Sequence, residues 1–536
     1  MFEKFGVMID CSRNSVMNLP ALKKLIDLLS AMGYNTMQLY TEDTYEVNGE
    51  PLFGYLRGRY SKVELKEIDR YAAAKGIELI PCIQTLAHMG QIFRRFEEYV
   101  PINDCNDILF AGEERTYRLI DNIFATLAEC FTSRNVNIGM DEAFMLGLGK
   151  YLDKNGFQNR SDIMLSHLSR IIEIARKYGF TCAMWSDMFF RLAFGGKYQD
   201  ADGEIPDEIR QKIPADVKLI YWDYNNTDKK HYDMMIRRHK KLGNQITFAG
   251  GALTWFGLAP LNALSIEATR QAFTACRENG IGDVILTMWG DNGGSCSPFS
   301  VLPALFAAAE FARGEKNMAT VKRKFKELTG VSFDVFLYAD LPNVIEDGQK
   351  PKIANPCKYL FYNDPLLGYF DATVDESAGA VFTSHAAKLK RAEKYKEWTF
   401  LFKPLRLLCE ALSIKAALGL KTRNAYLAGD KAALQTLIGK EYKPLLKKID
   451  VFYNAFAGYW DVLFKPHGFD VMDIRIGGLI QRLKHAIIKL QAYISGEAAS
   501  IPELDEARLD SFGLGGKGNV GLYANLYNQI ATINAL

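Results

Sequence analysis

The chain has 536 residues, nearly half of them hydrophobic, so a large core can form without disulfide or metal staples and more than one domain is expected. Lys and Arg total 65 against 63 Asp and Glu, a net charge of +2 with the two signs interspersed, which argues against nucleic acid or a charged membrane surface as a partner. Nine cysteines without CxxC or His-rich spacing argue against a metal centre; Cys11, Cys82 and Cys182 sit in apolar runs as small hydrophobes, which suits a reducing cytoplasm.

The N-terminus, Met1-Phe2-Glu3-Lys4-Phe5, enters a strand-like run by Val7 and leaves no room for a signal peptide. The longest apolar run, Val301 to Ala309, falls short of the ~20 residues of a bilayer span. A soluble, cytoplasmic protein is expected.

Strand-like runs follow in order: Phe5 to Cys11, Thr36 to Tyr40, Glu78 to Ile83, Val136 to Met140, Thr181 to Trp185, Lys218 to Trp222, Gln245 to Ala249 and Asp283 to Trp289. Between them, Pro20 to Leu29, Val63 to Lys75, Thr116 to Cys130, Ile163 to Tyr178, Tyr232 to Leu242 and Ile266 to Glu278 carry the apolar spacing of helices. Three of these stop at a glycine (Gly76, Gly179, Gly243), as helix C-termini do. With a last helix from Pro298 to Arg313, the alternation predicts an α/β fold, a (β/α)8 TIM barrel over residues 1–313. From Gly314 the strand signal stops. Lys316 to Thr329, Ala386 to Leu418, Lys431 to Leu437, Tyr442 to Leu463 and Gly478 to Ser495 read as helices, so residues 314–536 are expected to form an all-helical C-terminal domain. Gly513 to Gly518 matches GxGxxG, but without a βαβ unit around it the stretch reads as a flexible loop.

The strand ends carry the chemistry. The first ends in Asp10-Cys11-Ser12-Arg13, the second in Glu42-Asp43, and the third in Gln84-Thr85 with His88 beyond. The fourth, Val136 to Met140, ends in adjacent acids, Asp141-Glu142, which can serve one pocket only where the strand stops and the backbone bends. The fifth ends in Trp185-Ser186-Asp187, the sixth in Trp222-Asp223-Tyr224; the seventh runs on to Trp255, and the eighth ends in Trp289-Gly290-Asp291. Four of the six tryptophans thus lie at or just past strand ends, on the face where such barrels place their active sites. A sugar ring has an apolar C–H face that aromatic walls match and a hydroxyl edge that carboxylates and an Arg match. Paired carboxylates beside such a pocket suit glycoside hydrolysis. Each residue has a plainer reading too: the tryptophans as core, His88 as a satisfied buried histidine, Arg13 as the partner of Asp10 or Glu42.

On these residues the barrel closely resembles the β-N-acetylhexosaminidases of glycoside hydrolase family 20, in particular a compact bacterial exo-acting subgroup. Asp10-Cys11-Ser12-Arg13 is similar to the family's Asp-x-Ser-Arg, and Gly139-Met140-Asp141-Glu142 to its Gly-x-Asp-Glu. Glu42-Asp43, His88, Trp185 and Trp289-Gly290-Asp291 stand where the family has paired acids, a histidine and tryptophans with a trailing acid. Asn137 replaces the usual His before the signature, and Leu253-Thr254-Trp255 stands where the acetamide-binding Tyr falls. Tyr224, and after it Tyr221, is the replacement candidate. An α/β domain that most members carry ahead of the barrel has no counterpart here.

The resemblance implies a retaining, substrate-assisted hydrolase acting on an oligosaccharide or glycoconjugate with a terminal N-acetylhexosamine, through an oxazolinium intermediate and without cofactor or metal. Asp141 would orient the acetamide and Glu142 act as acid and base. Arg13, Glu42, His88, Trp185, Trp222, Tyr224, Trp255, Trp289 and Asp291 would bind the sugar. A barrel glycosidase of other specificity and a non-catalytic sugar-binding protein remain the rival readings. For the helical domain three roles stay open: covering the barrel bottom, forming a homodimer interface, or lending a residue to the pocket.

Overall fold

The structure, a computed structural model, describes residues 2–199, 203–345, 353–509 and 526–535; the GxGxxG stretch lies outside them. The chain packs into two units. One comprises residues 1–252, 265–289 and 305–316, the other residues 253–264, 290–304 and 317–536. Two stretches inside 1–313, those following the seventh and eighth strands, therefore group with the helical residues.

The first unit is a closed barrel of eight parallel strands: β1 (Lys4–Asp10), β2 (Thr36–Tyr40), β3 (Glu78–Cys82), β4 (Asn135–Asn137), β5 (Thr181–Trp185), β6 (Lys218–Trp222), β7 (Ile246–Gly251) and β8 (Asp283–Met288). Each strand pairs with its neighbours in sequence, and β8 closes onto β1 with Met8 opposite Thr287. Met8, Tyr40, Cys82, Trp185, Ile220, Ala249 and Ile285 form a core cluster, and Ala183, Trp222 and Trp289 pack against it. The helices between strands are locally well specified. Ser61 and Glu64 form a capping box ahead of Lys62–Ala74, and Gly33 ends Leu19–Met32 with φ 89°.

β4 is shorter than the expected Val136 to Met140. Ile138 still donates its N–H to Ala183 O at 2.8 Å and Gly139 O still accepts from Trp185 N–H at 3.2 Å, but Gly139 (φ 72°) and Met140 (φ 70°) are left-handed and their N–H groups leave the ladder. That turn is the bend the adjacent acids require.

The second unit is helical, with Met318–Thr329, Ala378–Ala392, Thr399–Leu427, Lys431–Leu437, Lys443–Leu463 and Asp470–Ser495 as its main helices. The single helix expected from Ala386 to Leu418 is two. The chain breaks between Ala392 and Thr399, where Trp398 is buried, donates its indole N–H to Thr329 O at 3.2 Å and packs edge-on to Phe336. No glycine or proline marks this break; tertiary burial of Trp398 overrides a locally helical sequence. Among the described residues no helix is long and apolar enough to cross a membrane.

Candidate active site

At the C-terminal end of the barrel the loop after β4 presents its two acids from a chain held against its preference. Met140 and Glu142 have positive φ, as do Glu42 and His88 on neighbouring loops. Side chains in the left-handed region cost about 1 kcal/mol or more each, so their gathering at one rim marks a site held by its surroundings. Gly139 is required where it stands: a Cβ there would meet Gln84 Oε1 at 2.2 Å and Ile83 O at 2.7 Å. Asn137 Oδ1 accepts the Gly139 N–H at 3.1 Å, and Gln84 Oε1 accepts that of Met140 at 3.2 Å.

Gln84 also fixes the first acid, its Nε2 donating to Asp141 Oδ1 at 2.7 Å. The other oxygen lies 3.3 Å from His88 Nε2. Burial pushes the Asp141 carboxyl up, but the charge of His88 and the Gln84 amide outweigh it and hold it below the ordinary carboxylate range. Burial likewise disfavours the His88 imidazolium, yet Asp141 and Glu42 raise it to about 10, so it is charged at neutral pH.

Glu142 is the opposite case. Burial raises its pKa first, and the charges of Asp141 and Asp187 add to it; His88 and Arg191 only partly oppose them. Its Oε2 lies 3.9 Å from His88, its Oε1 is 3.6 Å from Arg191, and its N–H is accepted by Asp187 Oδ2 at 3.2 Å. Adjacent carboxyls with opposite proton affinities form the arrangement a general acid and its charged neighbour need.

Around them, Arg13 faces Glu42 at 3.4 Å and Asp10 at 3.9 Å. Arg57 binds the Asp43 carboxylate and the main-chain oxygens of Ser12 and Arg13, so Asp43 holds the loop while Glu42 faces Arg13. Trp289 meets Tyr40 edge-on at 4.7 Å and Trp185 at 5.8 Å. Trp185 is buried to 1%, part of the core beneath Trp289 rather than an open wall. Tyr224 stacks on Trp222 at 5.2 Å, and its hydroxyl is hydrogen-bonded by the Trp289 side chain and feels the charges of Asp141 and Glu142. Tyr221 instead donates to Asp223 at 3.2 Å and is fully buried.

The barrel unit thus brings together Arg13, Glu42, His88, Asp141, Glu142, Trp185, Trp222, Tyr224 and Trp289. Trp255 and Asp291 belong to the second unit. There Trp255 stacks on Phe256 at 5.4 Å, and the charge of Asp291 acts on buried Lys358, whose pKa burial and Arg475 lower to about 7. Gln84, Tyr40, Asp187 and Arg191 were not among the expected site residues. Gln84 and Asp187 stand at strand ends, and Arg191 lies one helical turn beyond Asp187, which is the signal that could have found it. Among the described residues no group of three or more His, Cys, Asp or Glu is placed to hold a metal ion.

Residues 2–233 match the family model described as the glycosyl hydrolase family 20 catalytic domain, and residues 334–517 the one described as the glycoside hydrolase 20C C-terminal domain. The chain is similar to hexosaminidase D of Bos taurus, 23% identical over 244 residues that cover 43% of this chain and 66% of that protein. Hexosaminidase D of Homo sapiens is also 23% identical over 244 residues, 43% of this chain and 47% of its own length. The chain therefore spans about half to two thirds of the length of these curated relatives. Among solved structures, a chitobiase of Flavobacterium johnsoniae is 15% identical, with 82% of this chain and 75% of that chain covered and a TM-score of 0.48. With its strand-and-helix region and its helical region matching the two domains of one family, the chain belongs to family 20 of the glycoside hydrolases.

Proposed function

We propose that the enzyme is an exo-acting, retaining β-N-acetylhexosaminidase that releases terminal β-linked N-acetylglucosamine by substrate-assisted catalysis, with N-acetylgalactosamine as the second sugar to try. The observation that carries the reading is the opposed ionisation of two adjacent carboxyls, Asp141 held low and Glu142 raised. The names of the similar curated proteins, hexosaminidases, point the same way.

In this mechanism the acetamide carbonyl oxygen attacks the anomeric carbon as the bond to the leaving oxygen breaks, and Glu142 gives that oxygen its proton. The ionised Asp141 accepts the acetamide N–H and balances the charge of the oxazolinium ion. Water then attacks the anomeric carbon from the vacated face, Glu142 takes back a proton, and the acetamide is restored. The half-buried Trp222 and Tyr224 would receive the N-acetyl group and Arg13 the outer hydroxyls. A cytoplasmic setting is part of the same reading, supported by nine free thiols of which eight are buried.

A chromogenic N-acetylglucosaminide tests the activity, and a thiazoline mimic of the cyclised intermediate tests the mechanism, since it binds tightly only where the acetamide takes part. A stable 2-fluoro-glycosyl adduct on Asp141, seen by mass spectrometry, would overturn substrate assistance and favour a glycosidase of other specificity. Sugar binding without turnover would favour the non-catalytic reading.

A further inference from the structure

A partly buried cation that no sugar-binding role requires sits beside Glu142. Arg191 lies on the short helix Asp187–Ala193 that follows β5. Its Nε donates to Asp187 Oδ2 at 2.8 Å, and the same oxygen accepts the main-chain N–H of Glu142 at 3.2 Å. Its guanidinium lies over the Phe144 ring at 4.8 Å and within 5.9 Å of Tyr198 and Trp222, and Nη1 donates to Gly196 O at 3.1 Å. Held on several sides, it points Nη2 at Glu142 Oε1, 3.6 Å away, while His88 lies 3.9 Å from Oε2.

We infer that the Asp187–Arg191 pair is the positioning device of Glu142, Asp187 holding its backbone in the left-handed turn and Arg191 its carboxyl orientation and proton balance. The inference rests on the acid–base role proposed for Glu142. The charged and titratable groups facing that carboxyl are Asp141 beside it, Asp187 and Arg191 from the helix after β5, His88 from the loop after β3, and Tyr224 from the loop after β6. Arg191 favours the carboxylate that remains after proton donation. Asp187 offsets Arg191 and favours the acid that must be present before it. The buried Asp187 carboxyl is itself raised, by burial and by Asp141, against the pull of Arg191. Removing one partner therefore moves Glu142 one way and removing the other moves it the opposite way, a response that mere packing damage does not produce.

The test is the alkaline limb of kcat/KM against pH for an N-acetylglucosaminide. Arg191→Gln should shift it up by about half to one unit and lower kcat about tenfold or more; Asp187→Asn should shift it down by a similar amount. Arg191→Lys, which keeps the charge, should restore the wild-type limb. ¹³C NMR titration of the Glu142 carboxyl, assigned with Glu142→Gln, should show the same opposed shifts whether or not substrate is turned over. Unmoved limbs and titrations, or shifts of one sign in both variants, would overturn the inference. Opposed titration shifts in a protein that hydrolyses no N-acetylglucosaminide would uphold it and remove the proposed activity instead.

Discussion

The two ends of the barrel use charge in different ways. At the N-terminal end Lys4, Lys218 and Asp283 stand among Thr36, Gln38, Asn135 and Thr247, with Lys4 paired to Glu78 at 2.9 Å and Lys218 to Asp283 at 3.9 Å. Burial there pushes Glu78 up, but Ser133, Lys4 and Asn135 overcome it and leave the carboxyl below its usual range. At the C-terminal end Glu42, Glu142 and Asp187 are all raised, burial first, and the backbone is left-handed at Glu42, His88, Met140 and Glu142. At the first end, of Glu78 and Asp283 only Asp283 stays raised by burial, against the pull of Lys218 and Lys4, and none of the residues named there has a left-handed backbone. The other keeps acids close together on a constrained chain, a state that stability alone disfavours and that catalysis can use.

The difference is broken most sharply at Glu142. Glu142→Gln should lower kcat by about 10²–10⁴ on substrates with poor leaving groups, less on activated aryl glycosides, with the melting temperature almost unchanged. Steady-state kinetics on both substrate types check this. Gly139→Ala attacks the turn itself. The added methyl has no space against Gln84 and Ile83, so unfolding free energy should fall by roughly 3 kcal/mol in denaturant titration and activity should fall with it. Tyr224→Phe should cost about 10- to 100-fold in kcat with little change in melting temperature.

A pH series sharpens the comparison further. His88 has a folded pKa near 10, above its ordinary value, so the folded state holds the proton more tightly. Its contribution to stability is fully present below about 6.5 and is lost as pH rises through 10. His88→Gln should remove that alkaline fall in urea-unfolding free energy. The smallest effect belongs to the other end: Lys4→Met, breaking a pair about one third exposed, should cost no more than about 1 kcal/mol and leave kcat unchanged.

The barrel was legible because most β-strands are short apolar runs and most of the long helices between them carry their own apolar spacing, one of them with a capping box at Ser61 and Glu64, signals that need no distant partner. The two acids, Arg13, His88, Trp222 and Trp289 were legible as residues at or just past strand ends. Other features depended on tertiary context. β4 stops at Asn137 because Gln84 and Asn137 satisfy the turn that follows, and Gln84 comes from another strand end. Trp185 looks like its neighbours in sequence but is core. The break before Thr399 and the grouping of 253–264 and 290–304 with the helical unit arise from packing that no local pattern states. Arg191 lies in a helix whose composition is ordinary; only the fold brings it to Glu142.

Asn137 gives the rim one more property. The side chain that receives the Gly139 N–H is an amide, with its own Nδ2 directed to Gln38 Oε1 at 3.4 Å, and an amide neither takes up nor releases a proton while the acids above it do. The first half of the turn, at Gly139 and Met140, is therefore held by two amides that do not titrate, whereas Asp187, which accepts the main-chain N–H of Glu142, is an ionisable acceptor in its second half. A rate profile that departs from the titration of the reacting groups would point to Asp187 and not to the start of the turn.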